Sequence, residues 1–232
     1  MSNEKPKIHK RIIAFIIDLL VVTLLSGLIS SFLTNEEAYN KDTQELFELV
    51  SKTTSGEITN EEYNKQYQEL SYSLNVDSLP ITLITIGVTV VYYVIMLYFA
   101  NGITLGKYIM KLRIVSANDK ELNMFNYLLR SLIVNSLLAN LVTVLMIKFL
   151  SKDMFISIYS KVSSVFSLLL IIAFIFIMYR EDGRGLHDLI GNTKVVELNN
   201  LKNEDYTQKE EVKDAMVIEE VKKSKVNKKE GK

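Results

Sequence analysis

The chain has no cysteine and no tryptophan, and it has two histidines and two prolines in 232 residues. Without cysteine there is no disulfide framework, no thiolate nucleophile and no Cys-based metal site. His9 and His187 are too few for a histidine metal cluster, and no cofactor is expected. Without tryptophan, Tyr and Phe must supply any aromatic belt at a membrane surface. Net charge is missing too, since 27 basic and 27 acidic side chains cancel. No nucleic-acid partner is expected.

Familiar site motifs are also absent. The D-x-D-x-D-G calcium pattern does not occur. Gly102-Ile-Thr104-Leu-Gly106-Lys107 looks like a phosphate loop, but three residues separate the glycines where four are needed. Tyr108 stands where Ser or Thr would bind magnesium. No Ser-His or zinc-ligand pattern is present. An aspartic-protease pair needs two carboxylates in one site, whereas Asp188 lies beyond the last apolar run. The chain is therefore expected not to be an enzyme.

Long apolar blocks are what it does have. The first follows Arg11 and runs to Leu33. A bilayer-spanning helix needs roughly 20 residues, and this run is long enough. It holds one carboxylate, Asp18, two helical turns past Arg11 and so about 10 Å deeper along the axis. Arg11, Ala14 and Asp18 share a helix face. A carboxylate at that depth costs about 2.5 to 3.5 kcal/mol, so Asp18 should face protein or water. A basic start before an apolar run also opens a signal peptide. The length, Asp18 and the lack of an A-x-A-like site favour a retained helix.

Further spans are expected at 79–99, 127–149 and 162–179, after a first at 12–33. Each carries small or polar residues at helical spacing: Thr23, Gly27 and Ser31; Thr82, Thr85 and Thr89; Ser136, Asn140 and Thr143; Ser164 and Ser167. These stripes either knit the bundle together or line a polar pathway between helices. Arg130 and Lys148 sit near the ends of the third span, where both can snorkel.

The connections differ in charge. Residues 34–78 are acidic and suggest two short helices around a turn at 53–56, in a solvated loop or one that binds cations. Residues 101–126 are basic. By the positive-inside rule, the acidic loop lies outside and both termini lie in the cytoplasm. A short outer loop is expected at 151–161. Residues 112–115 are β-prone and form either a local hairpin with a turn at 118–119 or a small sheet with residues 193–196. The tail at 197–232 is charged and expected to be disordered and cytoplasmic, and it is solubilising or, through its lysines, lipid-touching.

The expected fold is an all-α membrane protein, a four-helix transmembrane bundle with a small cytoplasmic β element and a charged C-terminal tail. Residues 1–10 would be a cytoplasmic N-terminus and 11–196 the membrane domain.

Three stretches together resemble the RDD family of bacterial membrane proteins, named for one Arg and two Asp residues. They are Arg11-x-x-Ala14-x-x-x-Asp18; Gly102-x-Thr104-x-Gly106-Lys107 followed by Leu112-Arg113-Ile114-Val115; and Gly185-Leu186-His187-Asp188-x-x-Gly191-x-Thr193-x-Val195-Val196. The resemblance makes Arg11, Asp18 and Asp188 the naming residues. Ala14, Gly106, Lys107, Arg113, His187, Gly191 and Thr193 support them. It implies a bacterial cell-membrane location. It also implies a molecular function described as unknown, with transport suggested and sodium/proton exchange proposed for some members.

Two roles are expected for Asp18: to bind and release a proton or cation, or to lock helices by hydrogen bonds. Arg11 is too far along the helix to pair with it directly, so a cytoplasmic Arg or Lys, or a water-filled vestibule, would have to compensate. Asp188 is expected to cap a turn, accept backbone N–H groups, or pair with Arg113 or Arg184. The partners expected are the lipid bilayer, a second copy of the chain (four helices are few for a transporter) and a membrane or extracellular protein. A non-catalytic scaffold or accessory subunit is the alternative to transport.

Overall fold

The structure is a computed structural model and describes residues 6–35, 37–118 and 120–198. Among these residues, three helices are long and apolar enough to cross a membrane: Ile8–Leu33, Leu79–Phe99 and Lys152–Tyr179. The first is α1 and the last is α9. The middle rod is α4 (Leu79–Val90), a π-helical segment (Val91–Met96) and the short α5 (Leu97–Phe99). At 1.5 Å per residue, α1 and α9 each run about 40 Å, longer than the ~30 Å hydrocarbon core.

The apolar run of α1 stops where Thr34 turns extended, its N–H bonding to the Ser30 carbonyl. The buried face is Ala14, Asp18, Val22, Ser26 and Ser30, four apart throughout. It packs on α4 and on the short α6 (Leu105–Ile109). The Thr23, Gly27 and Ser31 face points outward, and nothing lies within 4 Å of a Cβ placed on Gly27. The Thr23, Gly27 and Ser31 stripe therefore marks no helix contact among the described residues. Ser164 and Ser167 are also exposed, each hydroxyl bonding a carbonyl of its own helix. A continuous polar pathway using all four stripes does not form.

The third crossing is not one rod. It is α7 (Met124–Val134) and α8 (Leu137–Phe149), bent by 73° at the break. Asn123 and Asn126 start α7 with a reciprocal capping box. Ser136, at φ 54°, ends the run, because a left-handed residue cannot continue a right-handed helix. The pair counts as a fourth span only when its two halves are taken together. The expected outer loop at 151–161 is instead the start of α9. Ser151 accepts the Met154 N–H and begins that helix ten residues before the expected span.

Between the first two spans lie α2 (Glu37–Thr54) and α3 (Asn60–Asp77), joined through Gly56 as the composition suggested. Thr59 and Glu62 form a capping box that fixes the start of α3. Tyr72 of α3 meets Phe155 of α9 edge to face at 5.3 Å, docking this helix pair on α9.

At the opposite end, β1 (Leu112–Ser116) pairs antiparallel with β2 (Thr193–Glu197), Arg113 opposite Val196 and Ser116 opposite Thr193. The local hairpin is not formed; the small sheet is. Leu112, Ile114 and Val195 enter one core with Ala14, Val94, Leu97 and Tyr127. The sheet is thereby tied to α1, the middle rod and α7. The short α10 (Leu186–Ile190) leads into β2. The tail from 199 onward, with its expected disorder and lipid contact, lies outside the described residues.

Candidate functional site

Two carboxylates are buried where α1, α6, α7 and α10 converge: Asp18 at 1% exposure and Asp188 at 0%. Their surroundings are built differently.

Asp18 is placed by the close approach of α6 to α1. A Cβ on Gly106 would lie 2.1 Å from the Ala14 carbonyl oxygen, so only glycine lets the two backbones meet here. That contact lets the Gly106 N–H donate to Asp18 Oδ1 at 2.8 Å. Tyr92 from the π-helical segment donates its hydroxyl to the same oxygen at 2.7 Å. Thr104, the N-cap of α6, donates to Oδ2 at 2.5 Å. Lys107 Nζ completes the cage, 3.2 Å from Oδ2 and 3.1 Å from Thr104 Oγ1. Asp18 thus meets three neutral donors and one cation. Burial pulls Lys107 down to about 8 against the opposing pull of Asp18, with Arg130 and Arg11 lowering it further.

Asp188 sits in a lattice of guanidinium groups. Arg11 Nη2 donates to Oδ2 at 2.6 Å, and Arg130 Nη1 donates to Oδ1. The Gly185 N–H donates to Oδ2 at 3.1 Å, and the Thr193 hydroxyl to Oδ1 at 3.1 Å. Arg11 also donates to the Gly183 carbonyl, and Arg130 to Thr193 Oγ1. One carboxylate therefore joins α1, α7, α10 and β2. His187 lies beside it, with Nε2 3.4 Å from Oδ2. Burial first, then Arg130, Arg11 and Lys107, hold His187 well below its ordinary value, so it is neutral.

Sequence reasoning placed the residues only in part. Arg11 does not reach Asp18 and instead pairs with Asp188. The compensating cation for Asp18 comes from the loop, as Lys107. Asp188 accepts the Gly185 N–H at the start of α10, as expected, but neither expected arginine pairs with it: Arg113 donates to the Asn101 carbonyl and Arg184 to Asp182. Ala14 lies buried under Gly106. Gly191 is packed against Arg130 and accepts from Asn126 Nδ2 at 3.1 Å. Tyr92, Thr104 and Arg130 were missed as site residues. Arg130 had a signal, since Tyr127, Arg130 and Ser131 share a buried face. Among the described residues, no group of three or more His, Cys, Asp or Glu could hold a metal.

Apolar membrane-length helices around buried, hydrogen-bonded charges define an integral membrane protein in which Asp18, Asp188 and Arg130 face protein rather than lipid. A family model matches residues 5–192, most of the chain, and the protein belongs to the RDD family. No curated protein and no solved structure matches it.

Proposed function

We propose that the chain exchanges a monovalent cation for a proton across a bacterial cell membrane, with Asp18 binding the cation and Lys107 carrying the proton. One observation supports this reading above others. Among the described residues, the one charged partner of the buried Asp18 is a titratable lysine, and both groups line the same cavity. With Lys107 lowered to about 8, its proton comes off under mildly alkaline conditions, well below the range of an ordinary lysine. The cation then takes the place of Nζ beside Asp18 Oδ2, with Thr104 Oγ1 as a neighbouring oxygen ligand. One positive charge leaves Lys107 as one arrives at Asp18, so the site's charge is unchanged. The basic loop at 101–126 supports a cytoplasmic position for this end and for both termini, by the positive-inside rule. A homo-oligomer would supply the further helices a pathway needs.

A non-catalytic scaffold is the second reading. The α2–α3 pair favours it, being acidic and exposing Phe47 and Val50. Proteoliposomes holding a pH-sensitive dye and given sodium or potassium gradients separate the two. Wild type should move protons, and Asp18→Asn and Lys107→Met should each lose about tenfold or more of that rate. No movement by folded, inserted wild type would remove the exchange reading and turn attention to partners of α2 and α3.

A further inference from the structure

A cavity of about 580 Å³ lies between α1 and α9, within the roughly 300–1,000 Å³ usual for ligand sites. Its two ends differ. One end holds Arg11, Lys107 and Arg130 with Asp18 and His187, and Asp188 lies behind the two arginines; the rest of the wall is largely apolar. We propose that this cavity binds an anionic lipid of the surrounding bilayer, its headgroup on Arg130 and Arg11 and an acyl chain along the wall between α1 and α9.

Charge is the first argument. Three cations face two carboxylates, and His187 is neutral, so one positive charge is left over. A buried excess charge is costly and favours a counter-anion. Unused donors are the second. Arg130 is 7% exposed, and among the described residues it bonds through Nη1 alone. Its Nε–H and Nη2–H groups are left for a ligand, as is the Nε–H of Arg11, which bonds through Nη1 and Nη2. That fork suits phosphate or carboxylate oxygens.

Access is the third argument. α1 packs on α4 and α6, while α9 packs on α3, α7, α8 and α10. The rim between α1 and α9 carries Ile16, Leu19, Leu170 and Phe174, exposed on the surface that meets lipid. A lipid can slide in sideways without leaving apolar surroundings. Basic pockets between membrane helices bind lipid headgroups in this way.

The proposal needs no exchange activity and is tested without it. Purified protein in detergent is offered phosphatidylglycerol and phosphatidylcholine of equal chain length, and retained lipid is read by native mass spectrometry. Phosphatidylglycerol should be retained about tenfold more strongly, the worth of one extra charge-assisted contact. Ala173→Phe, which fills the chamber, should abolish most of that retention while the salt bridges stay. Should Ala173→Phe fail to fold, Leu170→Trp at the rim decides in its place. Equal retention of both lipids overturns the proposal. So does undiminished retention in a folded, filled variant, because the lipid then sits on the outer surface. Displacement of phosphatidylglycerol by inorganic phosphate would make the ligand a soluble anion and overturn it as well.

Discussion

Asp18 and Asp188 are the same residue at nearly the same burial, yet they are held by opposite chemistry. Asp188 is gripped by two guanidinium groups from α1 and α7. Arginine stays charged in proteins and presents a rigid fork, so this clamp is permanent. Asp18 is held by a tyrosine hydroxyl, a threonine hydroxyl, a backbone N–H and one lysine. A lysine sheds its charge when buried, so this cage can change state. Burial alone thus says little about a carboxylate's role. The partner's ability to lose its charge separates the clamp from the switch.

The sharpest way to break this contrast is to remove each carboxylate in turn. Asp188→Ala leaves Arg11 and Arg130 buried without a counter-charge and should cost about 3–5 kcal/mol. Asp18→Asn keeps a hydrogen-bonding side chain, and Lys107 can become neutral, so the cost should be nearer 1–3 kcal/mol. Thermal unfolding in detergent measures both. Equal losses would mean that the two sites are structural in the same sense.

A second test reaches the Asp18 cage through the backbone. Gly106→Ala puts a methyl 2.1 Å from a carbonyl oxygen that cannot rotate away, so α6 must move off α1. A cost of about 1–3 kcal/mol is expected, as for other overpacked contacts. Proton movement in liposomes should fall with it, while the Asp188 clamp stays closed. Gly27→Ala on the open face of the same helix is the matched control and should change stability by under about 1 kcal/mol, in the stabilising direction. A harmless Gly106→Ala would show that close approach does not hold the cage together.

Much of this was legible in the chain. The apolar run around Asp18 implies a membrane helix, Ala14 and Asp18 stand on one face of it, and Lys107 stands in the basic loop after the second span. The pairing of 112–116 with 193–197 is one of the two arrangements that the β-prone stretches allow, and the structure selects it over the local hairpin. Other features were hidden for physical reasons. Thr23, Gly27 and Ser31 have small-residue spacing, but the face one residue earlier, with Ser26 and Ser30, is the buried one. Small polar residues stand on both faces, so their spacing alone does not tell which one is buried. The 73° break at Asn135 and Ser136 lies inside an apolar stretch without glycine or proline, so no local signal announced it. Arg130 looked like a snorkelling side chain because its partner is 58 positions away, beyond any helical spacing.

The most diagnostic test asks whether the Asp18 cage titrates. Lys107 is lowered in the fold to about 8 from 10.5. Between those values the unfolded chain binds more protons than the folded one, so stability must rise with pH across that window. Below it both states hold the proton, and the cost of burying the charge is present in full. Above it neither does, and the cost is gone. One group contributes at most about 1.4 kcal/mol per pH unit. His187 is neutral already at lower pH and does not enter. The measurement is the difference in unfolding free energy between wild type and Lys107→Met at several alkaline pH values. A difference that climbs between about 8 and 10.5 assigns the titration to Lys107. A flat difference would mean that Lys107 stays charged beside Asp18, and the cage would then be a second clamp rather than a switch.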